Sequence, residues 1–362
     1  MNLRTATSAA FFFLLSAVGL NPATAADPII VGVVHSPAFP TAESMKRSFE
    51  MAVEERNKAG GVKGRPLKLV YANDGLNNAG PVGYQHGKEK KAVESLRDDG
   101  AVMLMGGYSS ANTIHTAYSA NQLDVPFLVT TAADNQITQR GLKNVYRLNP
   151  PARDYAAGVE AWFNERIKPK SVAIVYEASR YGTDTAARML SYCRKNGIKL
   201  TKLVPYQKDR VNATYLQRRL QPIQKNQPDA VFMVSYLDDA VLLVNALREL
   251  KIGALLVGAG GGFTDPRLID RLGDSAEGIT TAALWSPQMP YPGAGEYYNK
   301  YLKSHNEAPD YHGAEAYSAA LVAADVLERA ASLDPEGIRK SLDATDLETP
   351  FGGIRFRSFE KF

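Results

Sequence analysis

The chain of 362 residues carries 42 Lys and Arg against 38 Asp and Glu, and a net charge of only +4 argues against nucleic acid as a partner. A chain of this length can build about two domains, each with a sizeable core. Cys193 is the only cysteine, which excludes an internal disulfide and a cysteine-based metal cluster.

The first 26 residues have the order of a secretory signal peptide. A positive start at Arg4 is followed by the apolar run AAFFFLLSAVGL at 9–20 and by small residues up to Ala26. The run is shorter than the roughly 20 residues of a membrane-spanning helix. We therefore expect cleavage near Ala26 or Asp27 and release of the protein into the periplasm. An uncleaved anchor is the alternative.

Apolar, β-rich runs alternate with helical segments along the rest of the chain. Residues 29–34 predict a buried strand, and 43–58 predict an amphipathic helix that Gly60 and Gly61 end. That helix has an apolar face of Met45, Phe49, Ala52 and Val53. Further strands are predicted at 67–71, 102–105, 127–129, 145–148, 172–176, 200–205, 230–234 and 254–257, with helices at 155–167, 183–196, 214–225 and 239–250. Such alternation indicates βαβ units and parallel sheets that helices cover on both faces.

Pro150 and Pro151 interrupt this alternation, because proline stops regular structure. A second βα series follows them. The strands are also more numerous than one compact sheet usually holds. The sequence therefore predicts two similar α/β lobes.

Six short segments, taken in order, carry a resemblance to a known family. They are IVGVV at 30–34, NKAGGVKG at 57–64, GGYSS at 106–110, TAA at 131–133, YG at 181–182 and SAEG at 275–278. The N-x-x-G-G-[IV]-x-G pattern of the second segment is the most specific of them. With these segments the chain resembles the type I periplasmic solute-binding proteins of ABC transporters, in particular the leucine/isoleucine/valine-binding branch, over residues 29–356.

The resemblance implies two Rossmann-like lobes with parallel sheets, hinged by three crossovers, and a cleft between them that closes on a solute. Lobe one is expected to hold residues 27–148 and 286–348, and lobe two residues 149–285 and 349–362. Members of the family usually continue with further strands beyond the position of Phe362, so the chain looks short beside them.

Proteins of this kind capture a small solute and deliver it to an ABC permease in the inner membrane. The resemblance therefore implies a non-catalytic, monomeric protein with a leucine-binding-type domain, without cofactor, metal or nucleic acid. A solute sensor that docks on a membrane receptor stays open, because transport and sensing use the same closure of the cleft.

A secreted α/β enzyme is the alternative from another class. The glycine run at 258–262 misses the pattern G-x-G-x-x-G at Phe263, and residues 107–111 miss the G-x-S-x-G elbow at Ala111. The five histidines are scattered without H-E-x-x-H spacing. We therefore expect no catalysis.

Residues 106–110 follow a predicted strand and precede a helical stretch at 111–121. Backbone amides and a hydroxyl at the start of a helix favour a carboxylate, since these amides lack partners within the helix. The resemblance assigns Ser110 to the carboxylate of the solute. A plain helix cap by Ser109 or Ser110 uses the same geometry and is the alternative.

Four further site residues follow from the resemblance. In the branched-chain binders an alanine backbone, here Ala132, and a threonine side chain, here replaced by Asp134, hold the amino-acid head group. Asp134 either pairs with an ammonium group or caps the turn at 135–140. Tyr181 and Tyr236 match aromatic positions on the lobe-two side of the cleft, where each offers apolar area and one polar tip.

One departure from the family concerns the ammonium group of the ligand. The branched-chain binders place a glutamate after the strand equivalent to 254–257, where this chain has Gly260. Binding of an α-amino acid then needs Asp134 or Asp238 as a substitute, whereas a glycine leaves room for a bulkier or aromatic ligand. Amino acids, amides and aromatic carboxylates all stay open. Three more residues are expected to border the cleft: His35, Phe39 and Trp285.

Overall fold

The computed structural model describes residues 26–75 and 87–357. The predicted signal peptide at 1–26 lies outside the described residues, except for Ala26. Within the described ranges, no helix combines the length and the apolar character that a membrane span requires.

Five parallel strands form the sheet of the first lobe. They are β1 (Ile29–His35), β2 (Leu67–Asn73), β3 (Met103–Gly106), β4 (Phe127–Val129) and β5 (Val145–Arg147). Their order in the sheet is β2-β1-β3-β4-β5. The inner strands β3 and β4 are buried along their whole length, as expected for strands that helices cover on both faces.

A second parallel sheet of five strands forms the second lobe. Its strands are β6 (Ser171–Glu177), β7 (Lys199–Tyr206), β8 (Ala230–Val234), β9 (Leu255–Gly258) and β10 (Ile279–Thr281). Their order is β10-β9-β8-β6-β7. The chain places β7 on one side of β6 and then crosses to the other side, where it adds β8, β9 and β10 in turn. Ligands of such sheets bind beyond the carboxyl ends of the strands.

Helices connect the strands and cover both sheets. They are α1 (Thr41–Lys58), α2 (Lys88–Asp98), α3 (Ser110–Gln122), α4 (Ala157–Trp162), α5 (Arg180–Lys195), α6 (Ala213–Asn226), α7 (Leu237–Glu249), α8 (Arg267–Leu272), α9 (Ala294–His305), α10 (Tyr311–Arg329) and α11 (Pro335–Asp343). The predicted apolar face of α1 is buried. Two separate sheets with helical layers confirm the predicted two-lobed α/β fold.

The chain returns to the first lobe after β10, and α10 completes the core there. One core cluster contains Phe49 of α1, Tyr297 of α9 and Tyr317 of α10, on one face of the first sheet. The opposite face carries its own cluster, which includes Leu96 and Ile114. The first lobe is therefore built from both ends of the described chain.

The final strands, β11 (Asp346–Thr349) and β12 (Gly352–Arg355), form an antiparallel hairpin on the first lobe. Phe351 and Ile354 are buried in the cluster around α1 and α10. Contrary to the expectation that 349–362 belongs to lobe two, the described part of this segment, 349–357, packs against lobe one. The physical reason is that its apolar side chains face the α10 core, whose position the sequence pattern did not show.

Candidate functional site

A cavity lies where the carboxyl ends of the two sheets face each other, with about 290 Å³ of space between protein atoms when its part open to solvent is included. A second hollow of about 380 Å³, the outer hollow, adjoins it and shares Tyr108, Tyr236, Gly261 and His312. The inner space is called the cleft cavity here. Its lining comes from both lobes and consists of Tyr108, Ser110, Thr131, Ala133, Tyr155, Tyr181, Tyr236, Gly261, Tyr311 and His312.

The start of α3 forms one wall of the cleft cavity. The chain reaches it through a tight turn at Gly106, whose φ of +107 places any added Cβ 2.3 Å from the carbonyl oxygen of Val34. Ser109, at the N-cap, makes no side-chain capping hydrogen bond. The first-turn amides of α3 therefore have no side-chain acceptor at the cap and can receive an anion.

The Ser110 hydroxyl adds a donor to this wall. Its Oγ accepts a hydrogen bond of 3.1 Å from the backbone amide of Asp134, so its own proton is free to be donated. Ser110 is 3% exposed and lines the cleft cavity. The Ser110 side chain does not act as a plain helix cap, because its Oγ bonds to the amide of Asp134, 24 residues later in the sequence.

Ala132 and Asp134, two expected ligand contacts, do not line the cleft cavity. The amide of Ala132 donates to the carbonyl oxygen of Gly107 at 3.0 Å and is not available to a solute. The Asp134 carboxylate accepts from the amide of Gln136 at 2.8 Å and forms an ion pair with Arg180 of the second lobe. Of its two proposed roles, the structure shows the cap. Thr131 and Ala133, on either side of Ala132, line the cavity instead.

Tyrosines form most of the remaining wall. Tyr181 lies 5.6 Å from both Tyr155 and Tyr236, measured between ring centres, and its hydroxyl donates to the carbonyl oxygen of Ala259 at 2.9 Å. Tyr108 approaches Tyr236 from the first lobe, with 6.1 Å between ring centres. Burial raises the pKa of Tyr181 and Tyr236 well above its ordinary value, so these hydroxyls stay protonated. The expected positions of Tyr181 and Tyr236 in the wall are thus observed.

Gly261, rather than the expected Gly260, lines the cleft cavity. A Cβ at Gly261 would lie 2.8 Å from the Tyr181 hydroxyl oxygen, and its φ of +54 is a backbone conformation that favours glycine. A Cβ at Gly260 would instead meet the ring of Tyr155 at 3.3 Å. The glycine run therefore lets the chain pass close beneath the tyrosine layer.

The outer hollow is lined by charged side chains of both signs, Lys208, Asp238 and Asp265. Lys208 Nζ lies 4.7 Å from the ring centre of Phe39 and 5.1 Å from that of Tyr236. Phe39 thus borders the cleft as expected, whereas His35 packs on Tyr71 and Trp285 donates its indole N–H to the Pro350 carbonyl oxygen. No Lys, Arg, Asp or Glu is among the described residues that line the inner cavity.

The first turn of α10 closes the floor and was not foreseen from the sequence. Tyr311 and His312 line the cavity, and Asp310 caps the helix by accepting from the Gly313 amide at 2.9 Å. Although burial by itself raises it, the pKa of Asp310 is lowered by the neighbouring His312 and that amide. The apolar periodicity of 311–329 was the signal that could have placed this helix.

The fold and the cleft define a class of two-lobed solute-binding proteins. The family model described as periplasmic binding protein matches residues 30–360, and the chain belongs to this family. This confirms the predicted membership in the type I periplasmic solute-binding proteins of ABC transporters. The family consists of transporter binding components rather than enzymes.

Curated relatives agree with this membership. Leu/Ile/Val-binding protein homolog 7 of Brucella suis biovar 1 (strain 1330) is 28% identical over 317 residues, which cover 83% of this chain and 76% of the relative. Leu/Ile/Val-binding protein homolog 8 of Brucella abortus (strain 2308) is 27% identical over 332 residues, which cover 87% and 80%.

Solved structures share the fold at lower identity. The branched-chain amino acid binding protein LivJ from Streptococcus pneumoniae, in complex with isoleucine, has a TM-score of 0.80 at 19% identity and covers 92% of both chains. A solute-binding protein from R. palustris, in complex with benzoate, has a TM-score of 0.78 at 17% identity, covering 91% of this chain and 89% of that one.

Proposed function

We propose that this protein is the periplasmic solute-binding component of an ABC importer. It captures a small carboxylate-bearing solute, an amino acid or a related acid including an aromatic one, in the cleft cavity and delivers it to an inner-membrane permease. It acts as a monomer and without catalysis. The observation that carries the proposal is the uncapped start of α3 with the Ser110 hydroxyl in the wall of an interlobe cavity.

A carboxylate is the ligand group that suits this wall. Ser110 and the first-turn amides of α3 are donors, and a helix start attracts negative charge. Since no charged side chain is among the described residues that line the cavity, neutral donors alone would hold the anion. Lys208 brings a positive charge to the outer hollow, where Asp238 and Asp265 are paired with Arg271 and Arg267.

The rest of the ligand would lie among tyrosine rings. Tyr155, Tyr181 and Tyr236 offer apolar faces for an aliphatic or aromatic group. The Tyr155 hydroxyl accepts from the Asn149 amide, and the Tyr181 hydroxyl donates to the Ala259 carbonyl oxygen. Isoleucine and benzoate, the ligands of two structural neighbours, share a carboxylate and an apolar body. This supports the same general class of solute here.

Closure of the two lobes is the proposed mechanism of capture. Contacts already join the lobes at the rim: Asn135 Nδ2 donates to Asp184 Oδ2 at 2.9 Å, and Arg267 Nη1 donates to the Pro40 carbonyl oxygen at 3.1 Å. A solute that touches both walls stabilises the closed form by the difference in its affinity for the open and closed forms.

A thermal-shift screen of amino acids, amides and carboxylic acids tests the proposal. A true ligand present at 100 times its dissociation constant adds about 2.7 kcal/mol to the free energy of unfolding. We expect stabilisation by at least one carboxylate-bearing solute. If no acid or amino acid stabilises the protein, the proposal is wrong.

A further inference from the structure

Glu315 is a fully buried acid behind the lining of the cleft cavity, and neither of its carboxyl oxygens has a hydrogen-bond partner among the described residues. It lies on α10, four residues after Tyr311 and three after His312, which both line the cavity. Residues at these spacings share one face of a helix. The Thr131 hydroxyl, in the loop after β4, lies beside the carboxyl, but the two groups do not form a hydrogen bond of normal geometry.

The other buried acids around the cleft are paired. Asp310 is paired with His312 and the Gly313 amide, and Asp134 with Arg180 and the Gln136 amide. A buried carboxyl normally has a partner, because it has lost its hydrogen bonds to water. Glu315 therefore has the features of a group whose partner is the ligand.

We propose that Glu315 receives the ammonium group of an α-amino acid whose carboxylate lies at Ser110 and the first turn of α3. The inference rests on the proposed function and narrows its solute to zwitterionic amino acids. The two ends of such a head group share one carbon, so their sites must adjoin. Both sites border one short loop, since Thr131 lies beside Glu315 and the amide of Asp134 donates to Ser110.

The inference also accounts for the glycine at position 260. The acid that the resemblance leads one to expect in the second lobe is absent there, and Glu315 supplies a carboxyl from the first lobe. Both ends of the head group would then bind to lobe one, and the tyrosines of lobe two would close over the side chain. Glu315 takes the place of Asp134 and Asp238 as the partner of the ammonium group. Those two acids are already paired, Asp134 with Arg180 and Asp238 with Arg271.

Binding of an ammonium group at Glu315 should change the number of protons that the protein binds, and this change can be measured. Burial raises the pKa of Glu315 well above its ordinary value, and Asp310 raises it further, while Thr131 lowers it. The other titratable groups that face it are Tyr155 from the second lobe and Tyr311 on α10. A raised pKa favours the neutral form of the Glu315 carboxyl. An entering ammonium group favours the carboxylate, and the proton leaves to the solvent.

The first experiment uses the unmodified protein and matched ligand pairs. All protein amino acids are screened beside their desamino analogues, such as L-leucine with 4-methylpentanoate and L-phenylalanine with 3-phenylpropanoate, together with benzoate. The best binder is then titrated calorimetrically in two buffers with different ionisation enthalpies. We expect an amino acid to bind at least about tenfold more tightly than its desamino analogue and to release about one proton near pH 7.

The second experiment removes the charge of the acid while keeping its shape. Glu315→Gln should weaken binding of the amino acid by about 10- to 100-fold, the range of a charge-assisted hydrogen bond, and abolish proton release. Glu89→Gln is the matched control: Glu89 is also buried, and its Oε1 has no partner among the described residues, but it lies on α2, which contributes no residue to the lining of the cleft cavity. The Glu89→Gln variant should bind the amino acid with the same affinity and the same proton release as the unmodified protein.

Two results overturn the inference. One is a desamino acid or benzoate that binds as tightly as any amino acid, and the other is a Glu315→Gln variant that binds the amino acid as tightly as the unmodified protein. In both cases the proposed function stands, because a carboxylate still binds. Failure of every acid and amino acid to bind would instead remove the proposed function itself.

Discussion

At the scale of single residues, Ser110 connects the loop after β4 with the start of α3. Its oxygen accepts from the amide of Asp134, and its proton points to no other group in the described contacts, so an anion in the cleft can accept it. The neighbouring Ser109 has the N-cap position of α3 but makes no side-chain capping bond. The two adjacent serines therefore differ in role and form a natural pair for substitution.

Ser110→Ala is expected to weaken solute binding by about tenfold, since a hydrogen bond to a charged group contributes roughly 1.5–3 kcal/mol. Ser109→Ala should leave affinity within about twofold of the unmodified protein. Isothermal titration of both variants with the solute found by screening makes the comparison. Equal affinities for all three proteins would show that the carboxylate is held elsewhere.

Gly261→Ala is expected to block the cleft cavity. The added Cβ would lie 2.8 Å from the Tyr181 hydroxyl and 2.9 Å from the Ser235 carbonyl oxygen. Overpacking of this kind costs about 1–3 kcal/mol, and we expect binding to weaken by about tenfold or more. Gly253→Ala serves as the control, because no atom lies within 4 Å of its added Cβ. Tight binding by the Gly261 variant would place the solute away from this glycine.

Prediction from the sequence identified some residues of the site and missed others, and the difference has a physical reason. Ser110, Tyr181 and Tyr236 follow directly after a strand, or open the helix behind it, so local order is enough to bring them to the cleft. Asp134 forms an ion pair with Arg180, which lies 46 positions later and in the other lobe. Glu315 comes from a helix that only the return of the chain brings beneath the cavity. Such partners cannot be found from local patterns.

At the scale of elements, α5 forms both an interlobe and an intralobe ion pair. Arg180, at its start, pairs with Asp134 of the first lobe, and Arg188, two turns later, pairs with Glu160 of α4 in its own lobe. The first contact exists only when the lobes are together. The second is independent of the position of the lobes.

Arg180→Gln is therefore expected to favour the open form and weaken solute binding by up to about fivefold, in keeping with about 0.2–1 kcal/mol for a partly exposed pair. Arg188→Gln should leave affinity unchanged. Affinity and the radius of gyration from solution scattering, with and without solute, check both variants. An Arg180 variant that closes and binds like the unmodified protein would show that this pair does not hold the lobes together.

Hydrophobic periodicity predicted most elements, and its failures are informative. The face of α1 with Met45 and Phe49 is buried as expected, because one period of 3.6 residues determines it. The hairpin of β11 and β12 is too short to show a pattern, and its position is set by packing on α10. The return of the chain to lobe one at 286–348 was expected, but the packing of 349–357 on the same lobe is a tertiary contact that the pattern of this segment does not encode.

At the scale of the whole molecule, buried acids make stability depend on pH. Burial raises the pKa of Glu177 to about 7 and that of Asp239 to about 6. Their ordinary values, 4.5 and 3.8, apply to the unfolded chain. The folded protein therefore binds more protons than the unfolded chain between these limits, and the free energy of unfolding falls as pH rises through them.

Glu177→Gln should remove part of this dependence. Its amide keeps a hydrogen-bond acceptor for the Ser179 amide, which the carboxylate binds at 3.2 Å, and carries no charge at any pH. Urea unfolding at about pH 5 and about pH 8 should show a smaller loss of unfolding free energy in the variant than in the unmodified protein. The same loss in both proteins would show that Glu177 is ionised normally in the folded state.

The central claim is that the carboxylate of a solute lies at the start of α3, between two lobes that close on it. A crystal structure with the best ligand from the screen tests this most directly. We predict a carboxylate within hydrogen-bond distance of Ser110 Oγ and the first-turn amides of α3. A ligand bound outside the cleft, or one that turns its apolar end towards α3, would contradict the claim.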